Sequence, residues 1–193
     1  MFEKLLARIA AGLSGRNLPY MIIGGQAVLL YGEPRLTKDI DITLGVNIDR
    51  LDDLLAVVDG LYLDPLPKDI PSFVQKTMVL PVLERSTGIR VDFIFSFTPY
   101  ETQAIGRAKK VSLSGQEVCF ASPEDLILHK IFSGRPRDLE DVRILTLKNP
   151  GIDVPYIRGW LKEFDAATPG KRFLEAFENI LKKQILDSGS SPE

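Results

Sequence analysis

Two aspartates one residue apart, Asp39 and Asp41, are the first side chains whose types and spacing could do chemistry. They open the segment Asp39-Ile-Asp-Ile-Thr-Leu44, in which polar and apolar residues alternate with the period of a strand. In a strand, residues i and i+2 share a face, so both carboxylates point the same way, about 7 Å apart along the backbone. Like charges so placed repel unless a cation or a hydrogen-bond donor lies between them. A rigid pair of hard oxygen ligands suits magnesium, which takes oxygen donors in octahedral geometry. The competing reading is a half-exposed strand whose polar face is simply hydrated, and the pair alone does not choose.

Three further features bear on that choice. In Ile89-Arg-Val-Asp-Phe-Ile-Phe95, the bulky Ile89, Val91, Phe93 and Phe95 share one face, and Arg90, Asp92 and Ile94 share the other. An acid within so apolar a strand is costly to bury unless it binds a metal or pairs with a cation, of which Arg90 is one. Gly24-Gly25 lies between a buried strand and a short helix. Glycines there let backbone amides approach an anion, and the helix N-terminus adds partial positive charge. Lys130 falls between Leu126 and Ile127 in a helical apolar arc, so its ammonium either snorkels to water or reaches into a cleft toward phosphate. His129, the only histidine, reads as a helix-surface or packing residue.

The elements that must position these residues follow from periodicity and punctuation. Phe2, Leu5, Leu6, Ile9 and Leu13 keep helical spacing, and Glu3 and Arg8 interrupt any signal-peptide apolar core. Asn17-Leu-Pro19 turns into a strand over Tyr20 to Ile23, and Gln26 to Tyr31 reads as a short helix ending at Gly32. Leu51, Leu54, Leu55 and Val58 mark a helix closed by Gly60. The three prolines of residues 64 to 73 predict a loop. Thr77 to Leu83 and Ile89 to Phe95 predict a hairpin, as do Lys110 to Leu113 and Glu117 to Phe120. From Ser122-Pro-Glu-Asp125, a capping serine with proline at the first helical position, the pattern is helical. Gly134 ends that helix and Pro136 starts the next; Ile157, Trp160, Leu161 and Phe164 mark a third, and Phe173, Leu174, Phe177, Ile180 and Leu181 a fourth.

Composition narrows the class. At 193 residues, nearly half of them apolar, the chain can bury a substantial core. No run approaches the roughly 18 apolar residues that span a bilayer. A net charge of -2 argues against a protein that coats nucleic acid, while leaving room for a local basic patch. Cys119 is the only cysteine, which excludes an intramolecular disulfide and a cysteine zinc cluster; its neighbours Val118 and Phe120 predict a buried strand thiol. A reducing cytoplasm fits.

Gly24-Gly-Gln-Ala27 followed by Pro34-Arg-Leu-Thr-Lys-Asp-Ile-Asp-Ile42 resembles the first motif of the DNA polymerase β-type nucleotidyltransferase superfamily. Ser122-Pro-Glu-Asp-Leu-Ile-Leu-His-Lys130 and Gly134-Arg-Pro-Arg-Asp-Leu-Glu-Asp-Val142 resemble a segment of the AbiEii-like and related minimal bacterial and archaeal members, where a lysine helix precedes an R-x-x-D-x-x-D-like helix. The resemblance covers residues 18 to 147 and departs at the glycine motif, where many members carry serine and this chain has Gly25 or Gln26.

That resemblance implies an α/β (α+β) nucleotidyltransferase fold, a mixed sheet with flanking helices and a helical C-terminal region. The expected divisions are a catalytic core over residues 1 to 121, helices over 122 to 186 and a disordered tail over 187 to 193. It implies that Asp39, Asp41 and Asp92 hold Mg2+ or Mn2+ and that Gly24, Gly25, Gln26, Arg35 and Lys130 contact the phosphates of an NTP. Arg137 and Asp138 would organise the lysine helix by ion pairing, with Asp138 and Asp141 at i and i+3 on one helical turn. The implied reaction moves a nucleoside monophosphate to a hydroxyl on RNA (a tRNA end), a protein or a small molecule, and some relatives are toxins with antitoxin partners. Two alternatives stand beside it: a degenerate member that binds nucleotide or a partner without turnover, and an unrelated α/β domain whose acids form salt bridges.

Overall fold

A computed structural model describes residues 2–33 and 37–189. The alternation in Asp39-Ile-Asp-Ile-Thr-Leu44 becomes strand β2 (Asp39–Leu44), with Ile40, Ile42 and Leu44 fully buried and Asp39 exposed. Strand β1 (Tyr20–Ile23) is buried throughout and lies antiparallel to β2. β5 (Ile89–Phe95) lies parallel to β2 on its other side and buries every second residue. Two hairpins extend the sheet: β4 (Val79–Glu84) onto β5, and β6 (Lys109–Leu113) onto β7 (Gln116–Phe120), which runs parallel to β1. With β3 (Asp64–Pro65) the order is β3-β4-β5-β2-β1-β7-β6, a mixed seven-stranded sheet. Helix α1 (Phe2–Gly15) turns Leu6, Ile9, Ala10 and Leu13 inward and packs on β6, β7 and helix α3 (Leu51–Gly60).

Four details depart from the sequence expectations. Gly24 and Gly25 do not break the chain before a helix; they are its first two residues, in α2 (Gly24–Tyr31). The expected loop over 64 to 73 contains β3 and the start of α4 (Ile70–Thr77). Asp69 caps that helix by accepting from the Ser72 amide at 3.2 Å, and Pro71 sits where helix geometry tolerates proline. Thr77 and Met78 are not in β4, because Met78 takes the left-handed cap that ends α4. A helix α5 (Pro99–Gly106) starts at Thr98-Pro99, a signal of the same kind as Ser122-Pro123.

The described residues cluster into two compact units. The sheet unit holds those up to Ala27 and from Thr37 to Ser122. The helical unit holds Val28 to Glu33 and Pro123 onward, with α6 (Pro123–Ser133), α7 (Pro136–Lys148), α8 (Val154–Ala167) and α9 (Phe173–Gly189). Within the helical unit α6 packs on α7, α8 and α9. Phe132 stacks on Phe173 at 5.2 Å and meets Phe164 edge-on at 5.8 Å. Asp165 accepts from the Phe173 and Leu174 amides and so caps α9, which runs to Gly189 and includes the first three residues of the expected tail. No described helix is long and apolar enough to cross a membrane.

Candidate active site

The register of two neighbouring strands builds the acidic centre. Across the parallel β2–β5 pair, Asp41 lies opposite Asp92 and Asp39 lies opposite Arg90. On the other side of β2, Asp41 lies opposite Ile23, the last residue of β1. The chain therefore enters α2 directly beside Asp41. Gly24 makes that entry with φ +65°, and a Cβ there would stand 2.0 Å from Asp41 Oδ2. Only glycine meets both demands. A Cβ on Gly25 would stand 2.5 Å from the Thr37 hydroxyl, which donates to the backbone carbonyl and Oδ1 of Asp39, each at 3.3 Å.

Exposure decreases along the polar face of β2, from exposed Asp39 through half-buried Asp41 to buried Thr43. The Thr43 hydroxyl and the Gln26 side-chain amide nitrogen are both buried without a hydrogen-bond partner among the described residues. Gln26 lies in the first turn of α2, beside the two glycines. A buried donor without an acceptor is costly, so an acceptor brought by a ligand would be favoured there.

Arg90 Nε donates to Asp92 Oδ1 at 2.8 Å. Its guanidinium is held above its ordinary pKa chiefly by that hydrogen bond, against burial, with attraction from Asp92, Asp39 and Asp41 adding to it. The Arg90 charge is thus felt by all three acids. The donor set is chemically apt for a divalent ion, being carboxylates alone on two adjacent strands. As the side chains stand, no three His, Cys, Asp or Glu among the described residues gather closely enough to hold one. The sequence named Arg90 only as an alternative partner of Asp92; the i, i+2 spacing on one strand face was the available signal. Thr37 was missed. Arg35 lies outside the described residues.

Lys130 belongs to the helical unit, and its surroundings there are explicit. Its ammonium is 2.5 Å from Asp138 Oδ1 and 2.9 Å from Asp141 Oδ2, with all three side chains buried. Asp138 also accepts from the Ser133 hydroxyl at 2.8 Å and from Arg135 Nε at 2.5 Å. Burial alone would raise the Asp138 carboxyl pKa, but these bonds hold it below the ordinary value. Both i, i+3 acids of α7 thus pair with Lys130, and the arginine bonded to Asp138 is Arg135, where the sequence pointed to Arg137. Cys119 is half-buried on β7, its thiol pKa pushed up by burial against the opposing pull of Lys110.

A mixed sheet whose central strands carry these acids beside a glycine-led helix defines a nucleotidyltransferase-fold protein. The chain belongs to the family described as nucleotidyltransferase of unknown function (DUF6036), whose model matches residues 2–178. Solved structures of the same fold include the antibiotic-resistance factor ANT(2'')-Ia in solution, 21% identical with a TM-score of 0.57 over 86% of this chain and 93% of that one. ANT(2'')-Ia in complex with adenylyl-2''-tobramycin matches at 21% identity and TM-score 0.56, over 84% of this chain and 97% of that one. An antigenic nucleotidyltransferase-like protein from Paracoccidioides brasiliensis is 17% identical with a TM-score of 0.54, over 91% of each chain. At these identities the likeness is one of fold. A search of curated proteins finds no match.

Proposed function

We propose that the chain moves a nucleoside monophosphate from an NTP, bound with Mg2+ or Mn2+, to a hydroxyl acceptor. The observation that carries this reading is the placement of Asp41 in register with Asp92, two residues from Asp39 and against a glycine that leaves no room for a side chain. Asp39, Asp41 and Asp92 would hold the metal, which when bound supplies charge neutralisation to the phosphates and to the in-line displacement. The amides of Gly24 and Gly25, at the positive end of α2, face phosphate oxygens, and the Gln26 amide offers its unpartnered donor to the same group. Asp92 accepts the proton of the acceptor hydroxyl as that oxygen bonds to the α-phosphorus and pyrophosphate departs. Arg35 is a weaker phosphate contact, assigned on sequence alone. Lys130, engaged by two carboxylates, serves by fixing α6 to α7.

The acceptor is a hydroxyl of RNA such as a tRNA end, of a protein or of a small molecule, met in the cytoplasm. An AbiEii-like affinity would add an antitoxin partner. The test is calorimetric titration of each NTP, with and without magnesium, into wild type and an Asp39→Ala/Asp41→Ala double variant. Magnesium-dependent binding lost in the double variant supports the reading, and labelled NTP then identifies acceptors through pyrophosphate release. Absence of binding at millimolar NTP refutes it in favour of a degenerate, partner-binding member of the fold.

A further inference from the structure

The acidic centre already contains a cation, and the manner in which it is held differs from that of the other buried charge cluster. Lys130 is clamped by two acids with its side chain 6% exposed, so it has no route to water without breaking the core. Arg90 pairs with Asp92 at 2.8 Å, and its side chain is 52% exposed against 19% for that of Asp92. The arginine side of this pair costs little to release, because the freed guanidinium is rehydrated at once. Its position on the polar face, across from Asp39 and beside Asp92, is set by strand register and not by a flexible loop.

We propose that Arg90 is a built-in counter-ion of this site, engaging Asp92 until a divalent cation arriving with nucleotide displaces it. The proposal rests on the nucleotidyl-transfer reading above and adds a regulatory element to it. Three carboxylates on adjacent strands repel one another, and the Arg90 guanidinium offsets part of that repulsion in the resting protein. While Asp92 Oδ1 bonds to Arg90, that oxygen is withheld from a metal. A divalent ion carries twice the charge and can draw all three acids together, and the exposed arginine then swings to solvent or toward the incoming phosphates. Arg90 is therefore a positioning residue that sets the metal concentration at which the site closes.

The test measures metal uptake by the full chain, without turnover. Free Mn2+ is followed by electron paramagnetic resonance during titration of wild type, Arg90→Gln and Arg90→Lys, each first checked for folding by circular dichroism. Removing the competing charge is expected to tighten Mn2+ binding up to about fivefold in Arg90→Gln, the scale of one solvent-exposed ion pair. Arg90→Lys, which keeps the charge, should stay near wild type. In case Arg90→Gln does not fold, the Arg90 Nε–H resonance of the wild type, assigned by its loss in Arg90→Lys, gives a second readout. It should move toward the free-arginine position as Mg2+ is added. Equal or weaker Mn2+ binding by Arg90→Gln, or an unmoved resonance in protein that has bound Mg2+, overturns the counter-ion. Failure of every variant to take up Mn2+ overturns the metal site itself and this inference with it.

Discussion

Replacing Lys130 by methionine keeps most of the side-chain volume and removes the charge. Asp138 and Asp141 would then remain as two buried carboxylates without their shared ammonium, although Asp138 would keep Ser133 and Arg135. Removing one partner of a buried ion pair costs about 3–5 kcal/mol, since the charge left behind is both desolvated and uncompensated. For a chain of this size about 2–4 °C is lost per kcal/mol, so Tm should fall by roughly 10 °C. Urea unfolding followed by circular dichroism gives the free energy directly. The pH dependence supplies an internal check. The Asp138 carboxyl pKa is depressed in the folded protein, so its stabilisation is fully present above the unfolded-state value and is lost as pH falls through the folded value. Wild type should therefore lose stability in acid more steeply than Lys130→Met, and the gap between them should narrow as the carboxylates take up protons. The exposed Arg135 supplies a control, because Arg135→Ala should cost less than about 1 kcal/mol. A Lys130→Met protein within about 1 kcal/mol of wild type at neutral pH would refute the reasoning.

Gly24→Ala should abolish measurable magnesium-dependent NTP binding by calorimetry, because the new methyl group occupies the place of Asp41 Oδ2; retained affinity would remove Asp41 from the site. Phe93→Ala, at a fully buried position on β5, should destabilise the fold by about 3–5 kcal/mol in urea unfolding. The Cys119 thiol, its pKa pushed up by burial, should react with Ellman's reagent more slowly than glutathione at pH 8, and a faster rate would contradict the burial described.

The strands were legible where one face is buried and the other is not. β2 and β5 begin and end where alternation begins and ends, and β1 coincides with its apolar run. Elements whose signals conflict were less legible. In α4, proline argued for a loop while Asp69 and Pro71 formed a helix start, and packing against β4 stabilised the helix. In α5 the Thr98-Pro99 start carried no strong apolar stripe behind it, and only Tyr100, Glu101 and Ala104 are buried. The glycine pair was recognised as special, yet its helical conformation was not, because glycine is compatible with so many backbone angles.

The sequence by itself determined that Asp39 and Asp41 share a face, that Arg90 and Asp92 share another, and that Lys130 precedes two acids spaced for one turn of helix. These are properties of local backbone geometry, with periods of two and 3.6 residues that need no knowledge of distant chain. Only the tertiary structure decided that the faces of β2 and β5 are brought into register, Asp41 against Asp92 and Asp39 against Arg90. It alone assigned Arg90 to the open acidic centre and Lys130 to a closed one. Strand pairing and the choice of counter-ion depend on which long-range arrangement buries the most apolar surface while leaving every charge a partner. That competition is settled by the whole core, and no short segment contains it.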